Sequence, residues 1–505
     1  MSHSIPSFNL LVDDLADERR SHRTAAALLV VYGLLWWSYA LLAKSTQDIH
    51  FDMGEVFSWS TRLAYGYPKH PPFPAWVAAF WFMIFPRTDW AYYLVSVASF
   101  TVALWFIWLI AAAVVDGDKR AVALVLLTLT PIFNLQPLKF NSNALLIPAW
   151  AFATWAFLRS YSKRTFLSGV LVGTAAAIAL LTKYWSVFLI LGFAVGALTD
   201  RRRRLYFSSP APWAAMVTAA VLVAPNIVTL FKFNFQAFKY ASEAHQAGDF
   251  TILAAIVSYL SSLVYLVGVF AAIQMTVKPR WTEWHQMLWP AEAQRRLWAT
   301  ILWTSFLSPI PIALLVRMRL HTLWAMPCWS LLPALLLSKP GLTLSRRAAV
   351  GVVATPFIVC AIALALTPLV AIFKLHHPPD NFADCYALVA REVDKRWMAG
   401  SEQPLEYVTG PDALAWGCTF YCRDRPLAFP GFSRIYAPWI DPSEMARRGF
   451  VAVCPEHDGQ CLASANALAA GSGPLRYENI RVTRSLWGME GKPYQFTLVI
   501  VPPRA

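Results

Sequence analysis

Long apolar runs separated by short joints rich in Lys and Arg fill the first three quarters of the chain. A run of roughly 18–20 apolar residues can cross a ~30 Å hydrocarbon layer as a helix, and inside that layer only helices and closed barrels satisfy every backbone polar group. The pattern predicts about eleven transmembrane helices, near residues 24–43, 90–115, 121–135, 144–158, 165–182, 184–199, 211–230, 251–277, 297–316, 321–338 and 348–372. A further apolar piece, 73–85, is too short to cross with ease and is expected to lie in the outer interface, where Trp76 and Trp81 suit the headgroup level. From about Lys374 the rhythm changes. Residues 405–408, 450–454 and 496–501 read as short strands, and 441–448 and 462–470 as helices, which predicts a compact α/β domain of roughly 130 residues. The expected fold class is a polytopic α-helical membrane protein with a C-terminal α/β domain, divided into 1–373, carrying a polar loop at 44–89, and 374–505.

Composition agrees with this pattern. The 505 residues are 57% hydrophobic and 14% charged, against roughly 25% charged in soluble domains, and the mean hydropathy is +0.46. A net charge of +14 would suggest nucleic acid in a soluble protein, but here much of the excess lies between apolar runs and reports topology instead. Sixteen Lys and Arg fall in the joints on one side of the expected spans and six on the other, so the first side is expected to be cytoplasmic, in agreement with Arg19, Arg20 and Arg23 before the first span. The first 23 residues lack the marks of a removed signal peptide. An odd number of crossings places the terminal domain outside the cytoplasm. Five of the seven cysteines lie there, and Cys418/Cys422 and Cys454/Cys461 are spaced for local bridges, with a zinc cluster involving His457 as the alternative.

The loops assigned to the outer side are dense in ionisable and aromatic residues, as polar chemistry at a membrane surface requires. The first contains Asp52 and, one helical turn on, Glu55, followed by the segment GYPKHPPFPAW at residues 66–76. Together with Thr182-Lys183-Tyr184 and Trp324-Ala325-Met326-Pro327, this arrangement resembles the GT-C glycosyltransferases that use polyprenyl-phosphate sugars, in the branch of the protein O-mannosyltransferases and the lipid A aminoarabinose transferase. The resemblance covers nearly the whole chain in layout. It implies a GT-C fold, a polyprenyl-phosphate sugar donor, a lipid or glycan acceptor, and Asp52 as the catalytic carboxylate. One carboxylate suffices, because an inverting transfer needs a base for the acceptor hydroxyl while the phosphate departs without an acid. A hydrolase would place two carboxylates across the bond. The structural alternative for Asp52 is a helix cap.

The developing charge on the phosphate calls for fixed cations or a metal. Lys69, His70, Lys183, Lys239, Arg317, Arg319 and His321 are the candidates, and Glu55, Asn143 and Tyr184 complete the expected substrate contacts, with Asn143 on the sugar. Two departures stand out. The aminoarabinose transferase has a glutamate at the position of Lys69 and a lysine at that of His70, so its structural zinc site does not transfer directly. Asn141 and Asn143 stand where relatives often place a second aspartate. A divalent metal remains an open cofactor, with Glu55, His70, Glu243 and His245 as donors of suitable type. The aromatic and basic stretch 231–249 reads either as a groove for a lipid carrier or as an interfacial anchor. The expected function is transfer of a sugar at the periplasmic face of a bacterial inner membrane, among membrane lipids and without nucleic acid. The rivals are a transporter or flippase for an anionic lipid or sugar, which would favour mid-membrane charges and repeated halves, and a non-catalytic scaffold.

Overall fold

The computed structural model describes residues 6–244, 252–472 and 474–504. Its chain contacts separate two units, 1–37 with 94–363, and 38–93 with 364–505. Helix occupies every stretch where a span was expected. Among the described residues, Ser21–Ala43, Asp89–Ala112, Ala211–Lys232, Ile256–Thr276, Ala293–Val316 and Arg346–Ala365 are long and apolar enough to cross a membrane alone. Asp118–Leu129 and Pro131–Leu138 form a pair bent by 92°, a seventh span if counted as one. Pro131 lies at the break, where its ring and missing N–H end the preceding turn. Phe166–Thr182, Tyr184–Thr199 and Thr322–Leu337 are apolar but shorter. The protein is therefore a multi-pass membrane protein of mainly helical fold.

Small residues set the helix packing of the first unit. A Cβ on Gly169 or Gly173 of Phe166–Thr182 would run into the carbonyl oxygens of Ala211 and Ala215, so this helix lies backbone to backbone on Ala211–Lys232. Gly192 and Gly196 perform the same service for the helix Val187–Thr199 against Ile301 and Ser305. Close approach of this kind replaces the hydrophobic drive that lipid removes. The opposite face of Ala211–Lys232 leaves Trp213, Met216, Val217 and Val221 exposed, a surface suited to acyl chains. Charges in this unit are tied down. Arg346 reaches Asp118 at 2.5 Å and Asp13 at 2.6 Å, and buried Arg295 donates to the Leu335 carbonyl at 2.9 Å and to Ser338 Oγ at 3.1 Å.

The second unit contains a five-stranded sheet of β1 (Tyr407–Gly410), β2 (Leu427–Pro430), β3 (Phe450–Pro455), β4 (Arg476–Leu486) and β5 (Met489–Val501), in the order β2-β1-β3-β5-β4. The first three strands are parallel, and β5 runs antiparallel to both β3 and β4. Alternation along β3 and β5 builds a core on each face. Val451, Val453, Leu498 and Ile500 pack with Val389 and Val393 of helix Tyr386–Met398, while Phe450, Ala452, Val499 and Val501 pack with Met445 and Ala465. The β4–β5 hairpin turns at Trp487 and Gly488, both at positive φ, as a two-residue turn of the favoured hand requires. The same unit holds the short helices Phe51–Ser60 and Phe73–Ile84.

Two cysteine expectations divide. Cys454 and Cys461 are bridged. Cys418 and Cys422 are buried and free, contrary to the expected local bridge. They sit four apart along helix Asp412–Tyr421 and its cap, where Cβ atoms stand ~5–6 Å apart, beyond the ~3.5–4.5 Å that a disulfide needs. The zinc alternative fails as well, because the bridge consumes both sulfurs beside His457.

Candidate active site

Asp52 occupies the first turn of helix Phe51–Ser60, where a carboxylate meets the positive end of the helix dipole. It is not the cap. His50 caps the helix, its Nδ1 accepting from the Asp52 amide at 3.2 Å, and the same nitrogen stands 3.6 Å from Asp52 Oδ2. The helix is tightly enclosed, with every residue from Met53 to Trp59 buried. Gly54 permits this, since a Cβ there would come within 3.2 Å of the Trp416 Cβ, and Phe51 packs on Ala415, Trp416 and Ala428. The chain before the helix is also fixed. Buried Asp48 accepts from the Ala387 amide at 2.9 Å and pairs with Arg484, and the Ile49 amide donates to the Tyr421 hydroxyl at 2.9 Å.

Glu55 projects onto Lys69, with Oε1 and Nζ 2.8 Å apart and both side chains almost fully enclosed. The ammonium lies 4.8 Å from the ring centre of Trp416 and 4.9 Å from that of Tyr436, so two aromatic faces replace its water. Burial pushes the Glu55 carboxyl up to about 7; Lys69 works against that shift, and the charges of Asp52 and Asp412 add to it. Burial raises Asp412 too, again opposed by Lys69. The loop that delivers Lys69 is braced by its own groups: the Tyr67 hydroxyl lies 3.0 Å from the Trp59 carbonyl, the Tyr67 ring stacks on Trp59 at 5.2 Å, and Trp76 Nε1 donates to the Ala64 carbonyl at 2.9 Å. His70 sets its ring edgewise to Trp59 at 5.9 Å.

In the other unit, Lys183 caps the C-terminus of Phe166–Thr182 and reaches Asn143 Oδ1 at 2.5 Å. Its ammonium sits 5.0 Å from the centre of Trp324. His321 packs on the same Trp324 at 5.1 Å and lies within the electrostatic reach of Lys183 and Arg319. Lys183, Asn143, Arg319 and His321 therefore form one polar, cationic cluster. Tyr184 stands next to it in sequence, donating to Asn226 Oδ1 at 3.2 Å and stacking on Phe238 at 5.0 Å. Lys239 lies on helix Gln236–Ala244, and Arg317 closes helix Pro309–Val316 in the left-handed region. No hydrogen bond or ion pair among the described residues ties either to the cluster.

Sequence reasoning found Glu55 and Lys69 but not their pairing, and it missed Asp412, Trp416, Tyr436 and the Asp48–Arg484 pair. A Trp following apolar residues or an Asp after Pro411 carries no local mark of a partner hundreds of residues away. Among the described residues no three His, Cys, Asp or Glu side chains gather to hold a metal, and His245 lies outside the described residues. With Lys69 bound to Glu55 at the position where the aminoarabinose transferase has a glutamate, the donor set does not fit that enzyme's zinc site.

Residues 69–228 match the family model described as dolichyl-phosphate-mannose-protein mannosyltransferase, a stretch that includes Lys69, His70, Asn143, Lys183 and Tyr184. A lipid A galacturonosyltransferase, RgtD of Rhizobium johnstonii, is 24% identical over 213 residues, 40% of this chain and 42% of that protein. The lipopolysaccharide core galacturonosyltransferase RgtB of the same organism is 26% identical over 269 residues, 51% of this chain and 53% of that protein. The chain thus spans about half the length of the curated relatives it matches. The crystal structures of ArnT from Cupriavidus metallidurans, bound to undecaprenyl phosphate and in the apo state, superpose with TM-scores of 0.56 and 0.54 at 14% identity, over 93% of this chain and 97% of that one. The fold is the GT-C fold expected from the resemblance, shared with the ArnT structures, and over residues 69–228 the chain is similar to the mannosyltransferase family model.

Proposed function

We propose that the protein is an inverting glycosyltransferase of the bacterial inner membrane, moving a sugar from a polyprenyl-phosphate donor to a lipid A-like or core-like acceptor, a lipid or glycan, at the periplasmic face. Asp52 takes the proton of the acceptor hydroxyl. The freed oxygen attacks the anomeric carbon, the bond from that carbon to the phosphate oxygen breaks, and its electron pair leaves with the phosphate. Lys183, Arg319 and His321 hold the anionic end of the donor, and Asn143, fixed by Lys183, meets the sugar. The observation that carries this reading is the placement of Asp52 in the first turn of an enclosed, capped helix that is itself held by packing. Because both curated relatives are named for galacturonosyl transfer, an acidic sugar is the first donor to try.

Mass spectrometry of envelope lipids tests it. A strain lacking the protein should lose one sugar mass from a lipid A or core species, the wild-type gene should restore it, and Asp52→Asn should not. Restoration by Asp52→Asn at the wild-type level would overturn the assignment.

A further inference from the structure

We propose that Lys69 is a positioning residue: clamped between Trp416 and Tyr436, it pins the Glu55 carboxylate and with it the helix that carries Asp52, so that the C-terminal α/β segment sets the direction of the base. This deepens the reading above and rests on Asp52 being that base.

Four sets of contacts support it, all within one unit. Glu55 is one helical turn from Asp52, and its 2.8 Å bond to Lys69 joins the helix to the loop at 61–72. The Lys69 ammonium is in turn seated on two rings that come from helix Asp412–Tyr421 and from the stretch after β2. The helix itself touches Trp416 through the bare backbone of Gly54, with 3.4 Å from the missing Cβ to the Trp416 carbonyl carbon. Trp416 therefore meets the Asp52 helix directly and, through Lys69, a second time. The Asp48–Arg484 pair fixes the chain four residues before Asp52 to the end of β4. A lysine enclosed by a carboxylate and two indole or phenol faces has its charge directed inward. The sequence pattern alone suggested a phosphate contact for Lys69; the geometry assigns it to Glu55.

The two roles separate in a double-variant cycle, read as product formation in a strain lacking the wild-type protein and as binding of undecaprenyl phosphate to the purified full chain. Lys69→Met breaks the bond to Glu55 and should cut product formation about tenfold or more, while Lys69→Arg, which keeps the charge and can stack, retains most of it. Glu55→Gln combined with Lys69→Met lacks the same bond and should lose no more than Lys69→Met alone. If the single variant does not accumulate, the double variant still decides: accumulated and about tenfold impaired, it supports pinning; accumulated with wild-type product formation, it overturns it. Binding of undecaprenyl phosphate should change less than about twofold in Lys69→Met, and a large loss of that binding would return Lys69 to the phosphate and overturn the proposal. Asp52→Asn is run beside these variants: activity in that variant removes the base assignment, whereas wild-type product formation by the double variant with Asp52→Asn inactive removes only the role of Lys69.

Discussion

The Lys69 site and the Lys183 site each present a lysine beside a tryptophan, yet their partners differ in kind. Lys69 bonds to a carboxylate and is enclosed by Trp416 and Tyr436. Lys183 bonds to the neutral amide of Asn143 and shares Trp324 with His321, with the charge of Arg319 nearby. An amide orients an ammonium without cancelling its charge, whereas a carboxylate cancels it. Two lysines of similar surroundings thus suit different tasks: one braces a helix, the other belongs to a group of cations fit for an anion. The comparison warns against assigning roles by residue type, because what decides is the sign of the nearest partner.

Substitutions can break this contrast, and the largest effect is expected at Asp52, the proposed base. Asp52→Asn should lower turnover about 10²–10⁴-fold with donor affinity kept, measured as initial rates in membranes against donor binding. Lys183→Gln should come next, at about 10²-fold, and unlike any change at Lys69 it should weaken binding of undecaprenyl phosphate in proportion. The pH dependence sharpens the contrast further. Glu55 is held protonated up to about 7, so the charged pair with Lys69, influenced also by Asp52 and Asp412, forms as pH rises through about 7, and product formation should rise over the same range. Removing Lys69 takes away the pair itself, so Lys69→Met should flatten this rise. For stability the sign is opposite: between the ordinary 4.5 and about 7 the folded chain holds a proton that the unfolded chain has released, so Glu55 contributes a loss of stability as pH increases through that window, which a melting series should show. The smallest effect on activity is expected away from both lysines. Cys454→Ser opens a loop of seven-residue separation, costs about 2–3 kcal/mol in the fold of the sheet, and should lower the melting temperature while leaving turnover nearly intact.

Much of the fold was legible because apolar periodicity is a local signal. The apolar helices, the shortness of the helix at 73–84, strand β3 and the end of β5 all follow from runs of neighbouring residues, though among the described residues six helices, or seven with the bent pair, are long enough to cross alone, against the eleven spans expected. β4 was missed because its inward face is interrupted by Arg476, Glu478 and Arg484, and β2 because four residues ending in Pro430 give no alternation to count. At the proposed site, Asp52 was singled out through the resemblance, and Lys183 and Asn143 by type and place. The capping of the helix by His50, the pairing of Lys69 with Glu55, and the contribution of Trp416 could not, since each depends on side-chain direction or on a partner far along the chain.

The union of 38–93 with 364–505 in one unit has a consequence in time. Ribosomes make Asp52 roughly 360 residues before Trp416, an interval of about 20–70 s at ~5–20 residues per second. During that interval the helix around Asp52 lacks the indole and the guanidinium that later enclose it. Its ordering waits for the tail of the chain to be synthesised, so a truncated product that inserts correctly into the bilayer would carry every residue of the first loop and still be inert.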